Sequence, residues 1–462
     1  METTTAPPDL AAMAAFRGQP YLVMSTDAHA GPSPENDLRP YCPEQYLPDF
    51  DEYVRESRAG YDAIFRAVEE GRAGDKENPT LRELGLEATA RCMECGAHSD
   101  PHVRLRDLDA EGITADVIFA GGQNFQDLPF MGKGWSAGNS RYAGELRSLA
   151  GRIWNQWLAD YVSVAPGRLV GVLQTAVWDV DTAVQEIEWG AERGLRAVNL
   201  PAPRSDFPPY TNPMYEPLWD VCEATGSVLM THSAGGEEPL GVNDRRGRFL
   251  TIAENQWLSN RGLAQLIFGG VFHRHPNLRF VLAENRVDFA PDLIRHLDSA
   301  YENGIRGEAT GGGLIPCSPF IYDPTDIDLD DPQSDDALPK RPSEYWRSNC
   351  YLGASFLARY EVAKRAEVGI GNLMWGSDYP HTEGTWPYSR LAIRHTFHDV
   401  PEDEARLILG ETAVGVFGLD RAALAPIAAR IGPKPQEVAV PPTPQELPLG
   451  LGSAFREFGA YA

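Results

Sequence analysis

The chain has 462 residues, 42% of them hydrophobic, and its 66 acidic and 41 basic residues give a net charge of −25 at pH 7. This hydrophobic fraction argues against a wholly disordered chain, because it supplies enough apolar surface for a core. The acidity argues against a nucleic-acid partner and against docking on an anionic membrane, since both need a basic surface.

The sequence shows no pattern that is typical of export or of membrane insertion. No run approaches the roughly 18 apolar residues of a membrane-spanning helix. The N-terminus lacks the basic start and apolar block of a secretory signal. Six cysteines in a chain of this length do not form a disulfide scaffold. We therefore expect a reduced, cytoplasmic protein with no membrane partner.

Short apolar runs rich in β-branched residues predict eight β-strands. In chain order they are residues 21–26, 115–120, 168–176, 196–200, 227–231, 279–283, 349–353 and 372–376. Helical periodicity between them predicts helices over residues 141–164, 180–192, 215–224, 258–272 and 356–367. Nearly continuous apolar strands that alternate with helices are typical of a parallel sheet covered on both faces.

Eight such units fit a closed α/β barrel, the (β/α)8 or TIM barrel. An open doubly wound sheet is the alternative, and its dinucleotide-binding form lacks the expected Gly-x-Gly-x-x-Gly after the first strand. We expect one metal-dependent barrel over residues 1–420, with a helical or loop cap near 30–110 and an acidic loop near 303–343. Residues 421–462 form a Pro-rich C-terminal extension that cannot be one continuous helix.

Ionisable side chains follow four of the predicted strands at their carboxyl ends, where β/α barrels carry their active sites. They are Asp27 and His29 after the first strand, His232 after the fifth, Glu284 after the sixth, and Asp378 and His381 after the eighth. Strands three, four and seven end in neutral residues such as Thr175, Asn199 and Ser355.

The Asp-x-His spacing places both side chains on one face of an extended segment. Together with His232 and Asp378 it gives mixed nitrogen and oxygen coordination for a divalent metal ion. Such an ion lowers the pKa of bound water, and Asp378 could also accept a proton from that water. Each motif alone has a structural explanation, such as a turn cap, and the metal site is inferred from their joint placement.

A second group, Cys92-x2-Cys95-x2-His98-x3-His102, superficially resembles a zinc cluster. Its pairs are spaced much more closely than in zinc-finger patterns. We interpret it as a structural segment with free thiols.

The ordered set Asp27/His29, His232, Glu284 and Asp378 resembles the amidohydrolase-related metal barrels, in the branch that includes aminocarboxymuconate-semialdehyde decarboxylase. Supporting stretches are RLRDLDAEGITADVIF, GGVFHRHPNLRFVLAENRVDFAPDLIRHLD and LMWGSDYPHTEGTWPYSR, and the resemblance spans about residues 20–420. It implies a barrel with one or two metal ions held by Asp27, His29, His232 and Asp378. The reactions it implies are hydrolysis of C–N or C–O bonds, or non-oxidative decarboxylation.

Two departures from the family pattern add carboxylate and remove imidazole. The first ligand is Asp27, where the decarboxylases have His or Glu, and Glu284 stands where they have a strand-six His. No lysine ends a predicted strand to act as a carboxylated bridge between two metals. Among iron, manganese and zinc, this donor set favours iron or manganese.

The first functional hypothesis is a metal-dependent hydrolase or carboxy-lyase acting on a small molecule with sizeable apolar area, with Asp378, Glu284 and His232 as catalytic residues. Arg286 would clamp a substrate carboxylate or form a structural ion pair. Phe125 and Trp386 would contact the substrate or belong to the core. We expect a homodimer.

The second hypothesis is a non-heme diiron monooxygenase of secondary metabolism that hydroxylates an apolar, terpenoid-like metabolite. It would use the same ligands together with Glu284 and His381, and a branch of the resembled fold has this activity. A third hypothesis is a barrel without catalytic activity that binds a metabolite or a protein.

Overall fold

The structure is a computed structural model that describes residues 10–71, 81–131, 144–205, 207–233, 245–310, 338–448 and 453–455. Eight strands form its sheet: β1 (Met24–Ala30), β2 (Ala115–Ala120), β3 (Leu169–Gln174), β4 (Ala197–Asn199), β5 (Val228–His232), β6 (Arg279–Ala283), β7 (Cys350–Ser355) and β8 (Leu373–Gly376). Each strand pairs in parallel with the next, from β1 to β8.

The sheet closes between β8 and β1. Asp378 N donates to Asp27 O at 2.9 Å, and His29 N donates to Tyr379 O at 2.6 Å. An isolated parallel bridge joins Ala28 to Tyr379. The predicted (β/α)8 barrel is confirmed, and the open doubly wound alternative is wrong.

Helices occupy the connections between the strands, including the long connection between β1 and β2, and the C-terminal segment. Those up to β6 are α1 (Leu47–Gly71), α2 (Leu81–Met93), α3 (Pro101–Glu111), α4 (Glu145–Ser163), α5 (Val180–Glu192), α6 (Glu216–Thr225), α7 (Arg245–Phe268) and α8 (Val271–Arg274). After β6 come α9 (Ala290–Thr310), α10 (Pro342–Asn349), α11 (Arg359–Val362), α12 (Arg365–Val368), α13 (Ser389–Phe397), α14 (Glu402–Arg406), α15 (Thr412–Val416), α16 (Arg421–Ile431) and α17 (Pro435–Val438).

Short 3-10 or π-helical turns complete the described elements. They are Leu10–Phe16, Pro34–Leu38, Arg39–Tyr41, Glu44–Tyr46, Gly96–His98, Pro213–Tyr215, Ile370–Asn372, Leu407–Glu411 and Ser453–Phe455. The described residues between β1 and β2 are therefore largely helical, and their role as a cap stays a prediction. Among its described residues, the Pro-rich C-terminal segment holds two separate α-helices, α16 and α17, and the short turn Ser453–Phe455.

Two apolar clusters separate the inside of the barrel from its outside. On β3, Val170 and Val172 belong to an interior cluster, whereas Leu169 and Leu173 pack in the outer cluster between the sheet and its helices. This alternation is the period-two pattern of a strand. The interior positions at the carboxyl ends of the strands therefore face the mouth of the barrel.

Several predicted boundaries differ from the structure. The first strand was expected over residues 21–26 but runs over Met24–Ala30, so that it contains Asp27 and His29 instead of ending before them. The predicted helix 356–367 is divided into α11 and α12, because Lys364 between them is not helical, at φ −88° and ψ 3°. The predicted helix 258–272 begins earlier, at Arg245, and is interrupted before α8 by Gly270 at φ 67°.

The acidic loop predicted near 303–343 lies outside the described residues over 311–337. Its flanks are the end of α9 and the start of α10. Within the described ranges, no helix combines the length and the apolar character needed to cross a lipid bilayer.

Candidate metal centre

Strand β1 places Asp27 and His29 side by side inside the barrel mouth. Both are fully buried, and the ladder between β1 and β2 shifts register between Ser25 and Ala28. His29 Nε2 lies 3.2 Å from Asp27 Oδ1 and 3.1 Å from Asp378 Oδ1. Two neighbouring strands across the barrel seam thus bring three potential ligands together.

The other histidines approach the same carboxylates from β5 and from the loop after β8. His232 Nε2 lies 3.4 Å from Asp27 Oδ1, and His381 Nδ1 lies 2.9 Å from Asp378 Oδ1. The His29 and His381 rings stack with centroids 3.8 Å apart. Glu284 Oε2 lies 3.4 Å from His232 Nδ1, and the Ser233 hydroxyl donates to the same oxygen at 2.6 Å.

Each of the three histidines has one ring nitrogen held by a backbone carbonyl. His29 Nδ1 donates to Ala120 O at 3.4 Å, His232 Nδ1 to Ser233 O at 2.7 Å, and His381 Nε2 to Gly121 O at 2.9 Å. The second nitrogen of every ring then faces the carboxylates. Metal-ligating histidines are oriented in this way, since the outer hydrogen bond fixes tautomer and ring direction.

Three buried carboxylate oxygens at this point lack a hydrogen bond of normal geometry. They are Asp27 Oδ1 and both oxygens of Asp378, and the nitrogens that approach Asp27 Oδ1 and Asp378 Oδ1 belong to the three histidines. The remaining oxygen, Asp27 Oδ2, accepts from the Ser355 hydroxyl. Buried carboxylates are strongly unfavourable without positive charge beside them, and a divalent cation held by the two carboxylates and the histidines would supply it. The residues present therefore fit a metal ion.

The electrostatics of the cluster also favour positive charge. Burial lowers the pKa of His232, but the charges of Asp27 and Glu284 oppose it and raise that pKa to about 9. Burial likewise lowers the pKa of His381, and Asp378 raises it to about 10. The same negative potential that holds protons on these rings attracts a metal cation.

The surroundings of the cluster shift the pKa values of Asp27 and Glu284 in opposite directions. Burial tends to raise the pKa of Asp27, yet His232 and His29 hold it well below its usual range. Burial raises the pKa of Glu284 to about 8; His232 opposes this effect, and the carboxylates of Asp378 and Asp27 add to it. The site thus contains one carboxylate that stays ionised and one carboxyl that keeps its proton near neutral pH.

Two acids of the site sit on unusual backbone. Glu284 has φ 51° and Asp378 has φ 55°, in the left-handed region that residues other than glycine seldom adopt. Such strain persists where surrounding structure imposes it, and it concentrates at functional sites.

The structure brings together all six of the ionisable residues that follow predicted strands one, five, six and eight: Asp27, His29, His232, Glu284, Asp378 and His381. Three overlapping sets have ligand atoms within 4.8 Å of one another: Asp27, His29 and His232; His29, Asp378 and His381; and Glu284, Asp378 and Glu383. Their roles as ligands and catalysts remain predictions.

The three predicted substrate residues lie in other surroundings. Arg286 Nη2 donates to Asp288 at 2.7 Å and to the Tyr360 hydroxyl at 3.0 Å. This contact agrees with the structural ion pair that was the alternative to a substrate clamp. The contacts of Arg286, Phe125 and Trp386 with substrate stay predictions.

The two aromatic residues pack against other rings. The Trp386 ring packs 5.3 Å from the Tyr379 ring. Phe125 packs against Tyr61 and Phe65, with which it lines a cavity of about 300 Å³.

Sequence reasoning missed two neighbours of the cluster. Glu383, half-buried, accepts from the Gln123 side chain at 2.6 Å. Phe119 is buried beside the histidines, with its ring 4.9 Å from His232 and 5.9 Å from His29. The position of Glu383 only five residues after Asp378, in the loop that follows β8, was the one available signal for it.

The segment that resembles a zinc cluster makes local contacts instead. The Cys92 thiol donates to Gly122 O at 3.2 Å. His98 Nε2 donates to Cys92 O at 2.8 Å, and His98 Nδ1 accepts from Gly31 N at 3.2 Å. Burial lowers the pKa of His98 to about 3, so the ring is neutral. These contacts agree with the structural interpretation.

A family model described as Amidohydrolase matches residues 127–298 and 315–419, more than half of the chain. The chain belongs to the amidohydrolase family. This membership and the geometry above make it a metal-dependent enzyme of the hydrolase or carboxy-lyase type. A search of curated proteins finds no match.

Solved structures share the fold at low sequence identity. An amidohydrolase from Mycobacterium avium subsp. paratuberculosis K-10 is 17% identical at a TM-score of 0.60 and covers 86% of this chain and 99% of its own. A 5-carboxyvanillate decarboxylase from Sphingomonas paucimobilis is 20% identical at a TM-score of 0.55, and the match covers 87% of this chain and 100% of that one.

A 5-carboxyvanillate decarboxylase from Novosphingobium aromaticivorans DSM 12444 was solved with manganese and 4-hydroxy-3-methoxy-5-nitrobenzoic acid. It is 17% identical at a TM-score of 0.57, and the match covers 91% of this chain and 100% of that one. The comparisons give no support to the monooxygenase hypothesis.

Proposed function

We propose that this amidohydrolase is a divalent-metal-dependent decarboxylase of a small organic carboxylate with an apolar, aromatic body. The observation that carries the proposal is the pair of buried carboxylates Asp27 and Asp378, whose oxygens three histidine rings surround. The decarboxylases among its structural neighbours support the reaction class.

Asp27, His29, His232 and Asp378 would hold the metal ion. Manganese is our first candidate, because one neighbour contains it and the donor set is rich in carboxylate. When bound, the ion supplies Lewis-acid charge that fixes and polarises a substrate oxygen.

The reaction needs a proton at a defined place. When the bond between the substrate carbon and its carboxylate breaks, CO2 leaves and the electron pair stays on the carbon, which must take up a proton. Glu284 holds that proton, since burial raises its pKa to about 8. Ser233 donates to Glu284 Oε2 and thereby orients the carboxyl group.

The proposal is tested with metal-free protein that is reloaded with Mn²⁺ under nitrogen. A panel of hydroxylated aromatic acids, including 5-carboxyvanillate and 2,6-dihydroxybenzoate, is assayed for CO2 release and for the decarboxylated product. We expect turnover of at least one acid that depends on Mn²⁺ and not on oxygen.

Two variants and one control sharpen this test. Glu284→Gln removes the proton source and should lower kcat by about 100-fold or more, while Mn²⁺ stays bound. Asp378→Asn should lose both metal and activity. Asp109→Asn is the matched control, because Asp109 pairs with Arg168 and Arg430 away from the centre.

Three outcomes contradict the proposal. Cleavage of esters or amides by the Mn²⁺ protein, without CO2 release from the acids, would assign it to hydrolysis. A requirement for oxygen and a reductant would assign it to oxygenase chemistry. Full activity in chelator-treated protein would remove the metal from the reaction.

A further inference from the structure

The wall of the barrel mouth opposite β8 carries a pair of buried amides. Strand β3 ends at Gln174 and β4 ends at Asn199, the two residues pair in register, and each is only 5% exposed. Val172 and Ala197, two positions earlier on each strand, belong to the interior cluster. Because strand side chains alternate, Gln174 and Asn199 also point into the barrel.

The Gln174 amide is held in one orientation. Asn199 Nδ2 donates to Gln174 Oε1 at 2.9 Å. The Gln174 backbone is fixed by one side chain of α4, since Asn155 accepts from its N–H at 2.8 Å and donates to its carbonyl at 3.1 Å. The amide nitrogen must then face away from Asn199.

That nitrogen, Gln174 Nε2, is buried and finds no acceptor anywhere in the described part of the chain. Buried donors in native proteins nearly always have a partner, because a buried donor without a hydrogen bond loses its contact with water and gains nothing in return. An exception inside a barrel mouth indicates a group kept ready for a ligand.

Strand β3, which carries the donor, neighbours an element of the metal centre. The β2–β3 ladder runs from the pair Asp116 and Leu169 to the pair Ile118 and Gly171, and Gly121 follows β2 directly. Gly121 O accepts the proton of His381 Nε2 at 2.9 Å. The strand that carries Gln174 is therefore next to the loop that orients one of the histidines.

The chemistry of the donor selects the ligand group. A neutral amide N–H suits an uncharged or weakly charged oxygen, such as a hydroxyl, methoxy or carbonyl oxygen. The positively charged groups of the metal centre suit a full carboxylate better than this neutral amide does. Resting on the proposed function, we propose that Gln174 Nε2 donates to such an oxygen on the ring of the substrate, so that Gln174 is a specificity-determining residue for oxygen-substituted aromatic acids.

The test measures ligand binding to Mn²⁺-loaded protein by calorimetry. The probe is 4-hydroxy-3-methoxy-5-nitrobenzoic acid, and its partner is 3-nitrobenzoic acid, which lacks the hydroxyl and methoxy oxygens. The variants are Gln174→Leu and Gln174→Met, both of similar size and without a donor. Gln265→Leu is the matched control, since Gln265 accepts from Tyr210 N at 2.9 Å on α7, outside the barrel.

We expect both Gln174 variants to keep Mn²⁺ affinity within about twofold. They should bind the oxygen-substituted probe about five- to tenfold more weakly, as the loss of one neutral hydrogen bond predicts. Their affinity for 3-nitrobenzoic acid should change by less than about twofold. Gln265→Leu should bind both compounds as the wild type does.

The failures of the two proposals are distinguishable. Equal weakening for both compounds, or no weakening for either, would overturn the role of Gln174 and leave the metal enzyme intact. If the wild type binds Mn²⁺ but not the substituted probe, the role of Gln174 is likewise overturned and the metal enzyme is left intact. A wild-type protein that binds no Mn²⁺ would refute the proposed function, and the inference on Gln174 with it.

Discussion

Ser355 makes a contact whose removal should weaken the metal centre by a measurable amount. Its hydroxyl, at the end of β7, donates to Asp27 Oδ2. The other oxygen, Asp27 Oδ1, lies 3.2 Å from His29 Nε2 and 3.4 Å from His232 Nε2. Ser355 is thus the support that sets the rotation of the Asp27 carboxylate toward the two histidines.

The expected size of the effect of Ser355→Ala follows from this contact. A hydrogen bond to a charged group contributes about 1.5–3 kcal/mol, and outer contacts of metal ligands typically change metal affinity by about 10- to 100-fold. Because part of the lost energy affects the metal-free protein as well, we expect Mn²⁺ to bind about 10- to 30-fold more weakly. At about 1.4 kcal/mol per factor of ten, this is about 1.4–2 kcal/mol.

The assay is a Mn²⁺ titration followed by calorimetry and by the electron paramagnetic resonance signal of unbound Mn²⁺. Ser227→Ala is the matched control. Ser227 is equally buried and contacts Thr225 Oγ1 at 2.8 Å, but it precedes β5 at the opposite end of the barrel. If Mn²⁺ affinity is the same in Ser355→Ala, Ser227→Ala and wild type, Ser355 does not support the Asp27 carboxylate in the way described.

Three further predictions concern packing, pH and buried charge. Gly376→Ala should weaken Mn²⁺ binding and lower the melting temperature, because the added Cβ would lie 3.0 Å from Ser355 Oγ; unchanged Mn²⁺ titrations would contradict this. Burial raises the pKa of Glu361 from 4.5 to about 7, so the folded state binds the extra proton in this range and the free energy of unfolding should fall as pH rises from about 4.5 to about 7. Urea denaturation across that range should show a flatter profile in Glu361→Gln, and parallel profiles would contradict the assignment. Arg104→Met should lower the free energy of unfolding by about 3–5 kcal/mol, since it leaves Asp116, paired at 2.7 Å, buried without a cation; a loss below about 1 kcal/mol in urea titrations would contradict it.

The sequence was most informative where strands are mostly apolar. The predicted runs 115–120 and 279–283 coincide with β2 and β6, each of which has one charged residue, Asp116 or Arg279, in an otherwise apolar run. For β1 the apolar signal stopped too early. Residues 21–23 are buried without being strand, while the strand continues through the polar Asp27 and His29.

The ligand candidates could be found because fold and chemistry point to the same places. Once a barrel is inferred, the carboxyl ends of its strands are the positions to inspect, and Asp27, His232 and Asp378 stand there. The left-handed backbone of Glu284 and Asp378 has no signature in the amino-acid types.

Other parts of the site depend on long-range packing. Glu383 is one of 66 acidic residues, and Gln174 is neutral, so neither is distinctive in the sequence. Their importance arises from neighbours on other strands and loops. The domain boundary at residue 420, the homodimer, the cytoplasmic location and the substrate contacts of Arg286 and Trp386 stay predictions.

We propose that Asp27, His29, His232 and Asp378 hold a divalent metal ion at the mouth of this barrel. The most direct test is a Mn²⁺ titration of metal-free wild type, Asp378→Asn and the Asp109→Asn control, with circular dichroism to verify that all three are folded. We expect stoichiometric binding by wild type and control, and affinity at least about 100-fold lower in Asp378→Asn. Equal binding by folded Asp378→Asn, or the absence of binding by wild type, would contradict it.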